Sequence, residues 1–423
     1  MVIEQEKLND FQEIKILDPS EMWKRMMAVP EQIVSAGEQV SKIVLPEHYR
    51  TAKAVVFAGM GGSAVAGDFV QSVLASPWSG RDSHQSDAPI FVVSRSQSLP
   101  SWVDETTLVF ISSYSGNTVE TLACFDEAVK RSAMIIVLTS GGKLQEKAAS
   151  VAVPVFDVGG FVDHESSPKD AVEPRTTVMA SFVGSLGMLC KLDLVSGKLN
   201  ILELAGLAEG LTRLYEPLNV SDNFAKELAA RLAGKIVVIY GGDELDSVAR
   251  RWKTQINENA DSWAFAEVLP DANHNSVNGY RVEGMEGNVE VVLLRHTDIQ
   301  SQGNTKLHKL EELFRSKHVS VQPLSLESQL IARYEIAEID EWQSGGPLLK
   351  ISDEPKPMSK DYASREQQEN QREAFRRILD PQIEIMRIIA GTCLGDWVSY
   401  YMALLTGVDP SPVPHITELK DVP

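Results

Sequence analysis

The chain has 423 residues, 43% hydrophobic and 23% charged, with a formal net charge of −19; this is the composition of a soluble globular protein large enough for two or three domains. So acidic a surface repels nucleic acid and anionic membrane, which excludes both as expected partners and requires any anionic substrate to find a locally positive pocket. Three scattered cysteines (Cys124, Cys190, Cys393) make neither a disulfide framework nor a zinc set, the acidic N-terminus is unlike a signal peptide, and no apolar run approaches a membrane span, so a cytoplasmic location is expected.

Residues 1–47 read as a helical segment, with Pro30 expected to break "SEMWKRMMAVPEQIVSAGEQVSKIV". Over 48–175 apolar strands alternate with helices: "AKAVVFAGM", then "SAVAGDFVQSVLA", "PIFVVS", "TLVFIS", "VETLACFDEAVKRS", "AMIIVLTS", "GKLQEKAAS" and "VAVPVF". Continuous apolar strands separated by helices predict a parallel sheet covered on both faces. Residues 176–222 read as connecting helices. The alternation restarts at "GKIVVIYGG" and fills 223–339, giving a second α/β unit of the same class. Residues 340–375 are polar and rich in Gly, Pro, Ser, Glu and Gln, which reads as a flexible insertion. Residues 376–423 form C-terminal helices and a tail.

Two loops carry the first chemical signal. "FISSYSGNT" ends a strand in Ser113, Ser115 and Thr118 as a helix begins. Free backbone N–H groups and the positive end of a helix dipole at such a point make an anion site, and small hydroxyls add donors without bulk. Asn117 or Ser115 is expected to cap the helix. The earlier loop, "GMGGSAVAGD", also links a strand to a helix and brings Ser63. It is not a dinucleotide fingerprint, because Ala64 stands where the third glycine is needed and the second strand ends in Ser94, Arg95 and Ser96 rather than an acid. A Walker lysine is also missing. Two hydroxyl-bearing strand ends in one sheet favour a compact phosphate without a nucleotide, while Gly67 is expected to allow close helix–strand packing.

In the second half an amphipathic helix, "VARRWKTQINENA", ends at Glu258, and a loop, "NHN", holds His274. A carboxylate at a helix end and a loop imidazole can act as a base and acid pair, or can be a solvated charge and an ordinary loop residue.

The hydroxyl loops resemble those of the sugar isomerase (SIS) domain, in which "SYSGNT" holds a sugar phosphate. "GMGGSAVAGD", "SSYSGNTVET", "PR" at 174–175, "INENA", "LPDANHN", "LGDWVSYYMALLTGVDPSPV" and "ITELK" occur in that order. Together they resemble the bifunctional phosphoglucose/phosphomannose isomerase family over nearly the whole chain outside 340–375. The resemblance implies two SIS-type three-layer αβα sandwiches with parallel sheets (α/β class), followed by a helical C-terminal segment. It implies an aldose–ketose isomerase of carbohydrate metabolism, in glycolysis and gluconeogenesis, interconverting fructose 6-phosphate with glucose 6-phosphate and mannose 6-phosphate through a cis-enediol. Gly62, Ser63, Ser113, Ser115 and Thr118 would bind the phosphate. Glu258 would move the proton between C1 and C2, Arg175 would stabilise the enediolate, and Lys420 would sit near the ring oxygen. His274 would assist ring opening from the neighbouring subunit of a homodimer. No metal and no cofactor are implied. Asp261 stands where many relatives have Lys, and "VNGY" departs from the usual pattern. The competing expectations are a non-catalytic sugar-phosphate sensor, against which Glu258 and His274 argue, and an isomerase of another phosphosugar.

Overall fold

The structure, a computed structural model, describes residues 5–75, 89–160, 172–195, 197–220, 223–242, 245–279, 287–296, 302–326 and 382–420. The expected insertion at 340–375 lies outside the described residues.

Three helices open the chain: α1 (Phe11–Leu17), α2 (Met22–Met27) and α3 (Val29–Lys42). The expected break falls at Ala28, between α2 and α3, and Pro30 sits in the first turn of α3, where a missing N–H loses no helical bond. The first sheet follows, built from β1 (Ala54–Gly59), β2 (Ile90–Ser94), β3 (Thr107–Ser112), β4 (Met134–Thr139) and β5 (Val155–Asp157). Its order is β2-β1-β3-β4-β5 and every pair is parallel. The connecting helices are α4 (Gly62–Ala75), α5 (Val119–Lys130) and α6 (Gly142–Ser150).

Both faces of this sheet are buried, which is why its strands read as continuous apolar runs. Val55, Phe57, Leu108, Phe110, Ile136 and Leu138 join the large core with α3 and α4. The alternate residues Val56, Ala58, Val109, Ile111, Ile135 and Val137 join a second core under α5 and α6. Gly67 has the expected packing role, since a Cβ there would stand 2.6 Å from the Phe57 ring.

Helices α7 (Val178–Lys191), α8 (Ile201–Tyr215) and α9 (Phe224–Leu232) lead to the second sheet. Its strands are β6 (Ile236–Gly242), β7 (Ala264–Leu269), β8 (Val289–Arg295) and β9 (Ser320–Ser325), in the parallel order β7-β6-β8-β9. Helix α10 (Leu245–Asn259) links β6 to β7, and α11 (Gln302–Ser316) links β8 to β9. Last come α12 (Ile383–Thr406) and α13 (Pro414–Lys420).

Helix α12 corrects one sequence expectation. It is long and apolar enough to cross a membrane by length and composition, yet 94% of its apolar window is buried inside the protein. Packing, not lipid, covers it: the Trp252 indole of α10 donates to Gly391 O at 2.7 Å, and Gly395 leaves room for the same ring. A helix that is apolar all round belongs to a core of this size.

Candidate active site

In the first sheet the strand order reverses between β1 and β3, and the loops leaving their carboxyl ends diverge there. Such a switch point is where open α/β sheets take ligands. The loop after β1 brings Gly62 and Ser63 to the start of α4, and the loop after β3 brings Ser113–Thr118 to the start of α5. The two loops touch: Tyr114 N donates to Ser63 Oγ at 3.4 Å, and the Ser113 and Thr118 hydroxyls lie 3.0 Å apart. Ser113 is buried, whereas Ser115 is exposed.

Gly116 has φ +65°, and a Cβ on it would fall 1.9 Å from Gly141 O, so the turn requires glycine. The expected cap of α5 by Asn117 or Ser115 is not formed. Thr118 holds the N-cap position and no side chain caps the helix, which leaves its first N–H groups without side-chain partners at the cradle. Asn117 instead accepts from Lys143 N at 3.2 Å in the first turn of α6, and Ser115 Oγ accepts from Asn117 N at 3.3 Å.

Arg175 lies directly against this cradle, in a short 3₁₀ turn (Pro174–Thr177), with its Cα 3.3 Å from where a Cβ on Gly62 would be. Its side chain is 3% exposed and faces the end of α10. Nε donates to Asn259 Oδ1 at 2.7 Å, and Nη2 donates to the Pro410 and Ser411 carbonyls, each at 2.8 Å. Nη1 faces Glu258 Oε2 at 3.7 Å. Burial pulls the Arg175 guanidinium below its usual pKa, and Glu258 and then Glu173 oppose that shift.

The seat of Arg175 is built by residues that the sequence reading did not single out. Asn259 is fully buried and donates to Ser399 Oγ at 2.9 Å. Arg251 donates to Arg175 O at 2.6 Å while holding Asp396 in a bidentate pair at 3.0 and 2.9 Å. Burial raises the Asp396 carboxyl, and Arg251 opposes that rise. Arg25 of α2 grips Glu173 with two bonds of 2.7 Å and reaches Ser411 Oγ at 3.1 Å. The "NEN" and "LGDW" motifs contain Asn259 and Asp396, so the signal was present there; nothing around Arg25 marks it.

One expected site residue, His274, stands apart from this site within the chain. His274 is exposed, in a 3₁₀ turn (Asp271–His274) just beyond the carboxyl end of β7. Glu258 is tied to the opposite end of β7, where the adjacent Asn257 accepts from Ala264 N at 2.9 Å. At about 3.3 Å per residue, the strand keeps the two groups well apart. The Lys420 backbone closes α13, and its side chain lies outside the described residues.

A family model described as "Bacterial phospho-glucose isomerase C-terminal SIS domain" matches residues 221–334 and 364–422. A bifunctional phosphoglucose/phosphomannose isomerase of Caldicellulosiruptor bescii is 30% identical over 298 residues, covering 70% of this chain and 82% of that protein. One of Aquifex aeolicus is 38% identical over 231 residues, covering 54% and 62%. A D-glucosamine-6-phosphate 4-epimerase of Sulfolobus acidocaldarius is 28% identical over 268 residues, covering 63% and 76%. Among solved structures, a hypothetical protein of Thermus thermophilus superposes with TM-score 0.62 at 14% identity over 98% of this chain and 92% of its own. The tagatose-6-phosphate ketose/aldose isomerase of Escherichia coli does so with TM-score 0.53 at 15% identity over 98% of each. These structures share the tandem α/β fold, in agreement with two SIS-type sandwiches and a helical C-terminal segment. With its ordered motifs and its coverage of the Caldicellulosiruptor relative, the chain belongs to the bifunctional phosphoglucose/phosphomannose isomerase family.

Proposed function

We propose that the protein interconverts fructose 6-phosphate with glucose 6-phosphate and mannose 6-phosphate by acid/base catalysis. The observation that carries this reading is a helix-end carboxylate, Glu258, facing the buried Arg175 guanidinium at 3.7 Å beside a hydroxyl-lined pair of helix N-termini. The phosphate sits against Ser63, Ser113, Ser115 and Thr118, where N–H groups and hydroxyls donate to it. With the ring open, Glu258 takes the C2 proton of the aldose, and the negative charge that moves to oxygen is met by Arg175 Nη1. Returning the proton to C1, while the O2 hydroxyl proton passes to O1, gives the ketose. The planar enediol has lost its C2 configuration, so presenting its other face to the same base gives the second epimer. Lys420 is the residue proposed to lie by the ring oxygen.

Ring opening needs an acid, and His274 fills that role from a second copy. If a two-fold axis passes near the middle of β7, each Glu258 meets the partner subunit's His274, because the two groups stand at opposite ends of that strand. Such an isologous homodimer has two complete sites. The scattered, few cysteines support a cytoplasmic enzyme, and membership of the isomerase family supports a place in glycolysis and gluconeogenesis.

The test supplies fructose 6-phosphate to purified protein and follows both aldose products separately, with Glu258→Gln alongside. Both products, lost in the variant, are expected. The Sulfolobus relative motivates a parallel run with glucosamine 6-phosphate; epimerised amino sugar with no aldose from fructose 6-phosphate would replace this reading with that one.

A further inference from the structure

We propose that Asn259 is a positioning residue whose lack of charge keeps the Arg175 cation available to the reacting sugar; the inference rests on the isomerase reading above. Three arginines meet in this part of the molecule, and they are held differently. Arg25 is paired bidentately with Glu173, and Arg251 bidentately with Asp396. Each of those charges is spent on a carboxylate. Arg175, lying between them, gives its Nε and Nη2 hydrogen bonds, among the described residues, to uncharged oxygens: the Asn259 amide and the carbonyls of Pro410 and Ser411. Its acidic contact among those residues, Glu258, is longer, at 3.7 Å, and comes from the group proposed as the base.

An amide and a carboxylate are nearly the same shape and offer Arg175 Nε the same acceptor geometry. They differ in charge, and in a site this dry that difference is felt at full strength. Asn259 is 0% exposed and Arg175 3%, so little water screens a charge placed there. An aspartate at 259 would turn a monopole aimed at the enediolate into a closed ion pair. It would also add a second negative charge beside Glu258, opposing the build-up of charge on the sugar oxygen. The amide's other end donates to Ser399 Oγ at 2.9 Å, and Ser399 in turn donates to Asp396 O at 2.7 Å, which fixes the amide with its oxygen toward Arg175. The arrangement therefore orients the guanidinium without neutralising it.

The experiment compares Asn259→Asp with Ser399→Ala in the full chain, after thermal melts confirm that both variants fold. The Asp variant is expected to lower kcat by about 100-fold or more, the scale of losing an electrostatic stabiliser, with KM for fructose 6-phosphate changed less than about threefold because the phosphate is held elsewhere. Affinity for a five-carbon phosphosugar hydroxamate, which mimics the enediolate, is expected to fall in parallel with kcat. Ser399→Ala, which removes the amide's anchor without adding charge, is expected to cost less than about tenfold. The proposal is overturned if Asn259→Asp keeps wild-type kcat, if Ser399→Ala matches its loss, or if the loss appears in KM alone. A wild type that produces no aldose would instead remove the isomerase reading, and this inference with it.

Discussion

Glu258 and His274 stand at opposite ends of one strand, β7, with the first joined to its amino end through α10 and the second exposed beyond its carboxyl end. The proposed site shared between two copies can be tested by mixing two dead proteins. Glu258→Gln and His274→Ala homodimers are each expected to be inactive. A heterodimer of the two has one doubly impaired site and one site in which both residues are native. Co-expression should therefore restore activity, approaching a quarter of wild type if subunits mix at random and each intact site acts independently. No recovery in purified heterodimer would show that the two residues do not work across an interface.

Removing the cradle hydroxyls should weaken binding before it slows chemistry. Hydrogen bonds to a charged group are worth about 1.5–3 kcal/mol each, so Ser113→Ala and Thr118→Ala should each raise KM by about tenfold or more with a smaller change in kcat. Steady-state kinetics against fructose 6-phosphate separates the two effects. An unchanged KM in both variants would place the phosphate elsewhere.

Gly116→Ala tests the backbone of the same cradle. The residue has φ +65°, and the new methyl would collide with Gly141 O, a backbone atom that cannot step aside alone. A loss of at least about 2 kcal/mol in unfolding free energy is expected, combining left-handed strain with overpacking. Denaturant melts at equal slope would read it, and an unshifted midpoint would mean that the turn adapts.

Lys226 gives a pH signature of its own. Burial lowers its pKa to about 8, while Nζ donates to Asn9 Oδ1 and the Pro217 and Asn219 carbonyls. Because the folded value lies below the unfolded one, the unfolded chain holds more protons between about pH 8 and the ordinary lysine value of about 10.4. Stability from this group therefore rises with pH through that window and is lost as pH falls back to the folded value. The difference in unfolding free energy between wild type and Lys226→Met should show that rise; a flat difference across the window would remove it.

The first sheet was legible because both its faces are buried: "AVVFAG" and "TLVFIS" could hardly be anything but central strands, and the hydroxyl loops follow them directly. Glu258 was legible as the end of an amphipathic period. What escaped depends on partners distant in the chain. Asn117 looks like a local cap but serves Lys143, 26 residues on. Arg25 meets Glu173 across 148 positions, and Arg251 meets Asp396 across 145. No local spacing records such pairs. Helix α12 was underestimated as an apolar segment, because Glu384, Arg387 and Asp396 interrupt its runs while its average hydropathy stays high, and only the fold shows that protein covers it.

The seat of Arg175 has a consequence for the order in which the protein comes into being. Two of its hydrogen bonds go to carbonyls 235 and 236 positions further along the chain. During synthesis the hydroxyl cradle between β1 and α6 can close long before those carbonyls emerge from the ribosome. In a growing chain the Arg175 cation thus has no fixed place until the last residues arrive, however early the strands of the first sheet have paired.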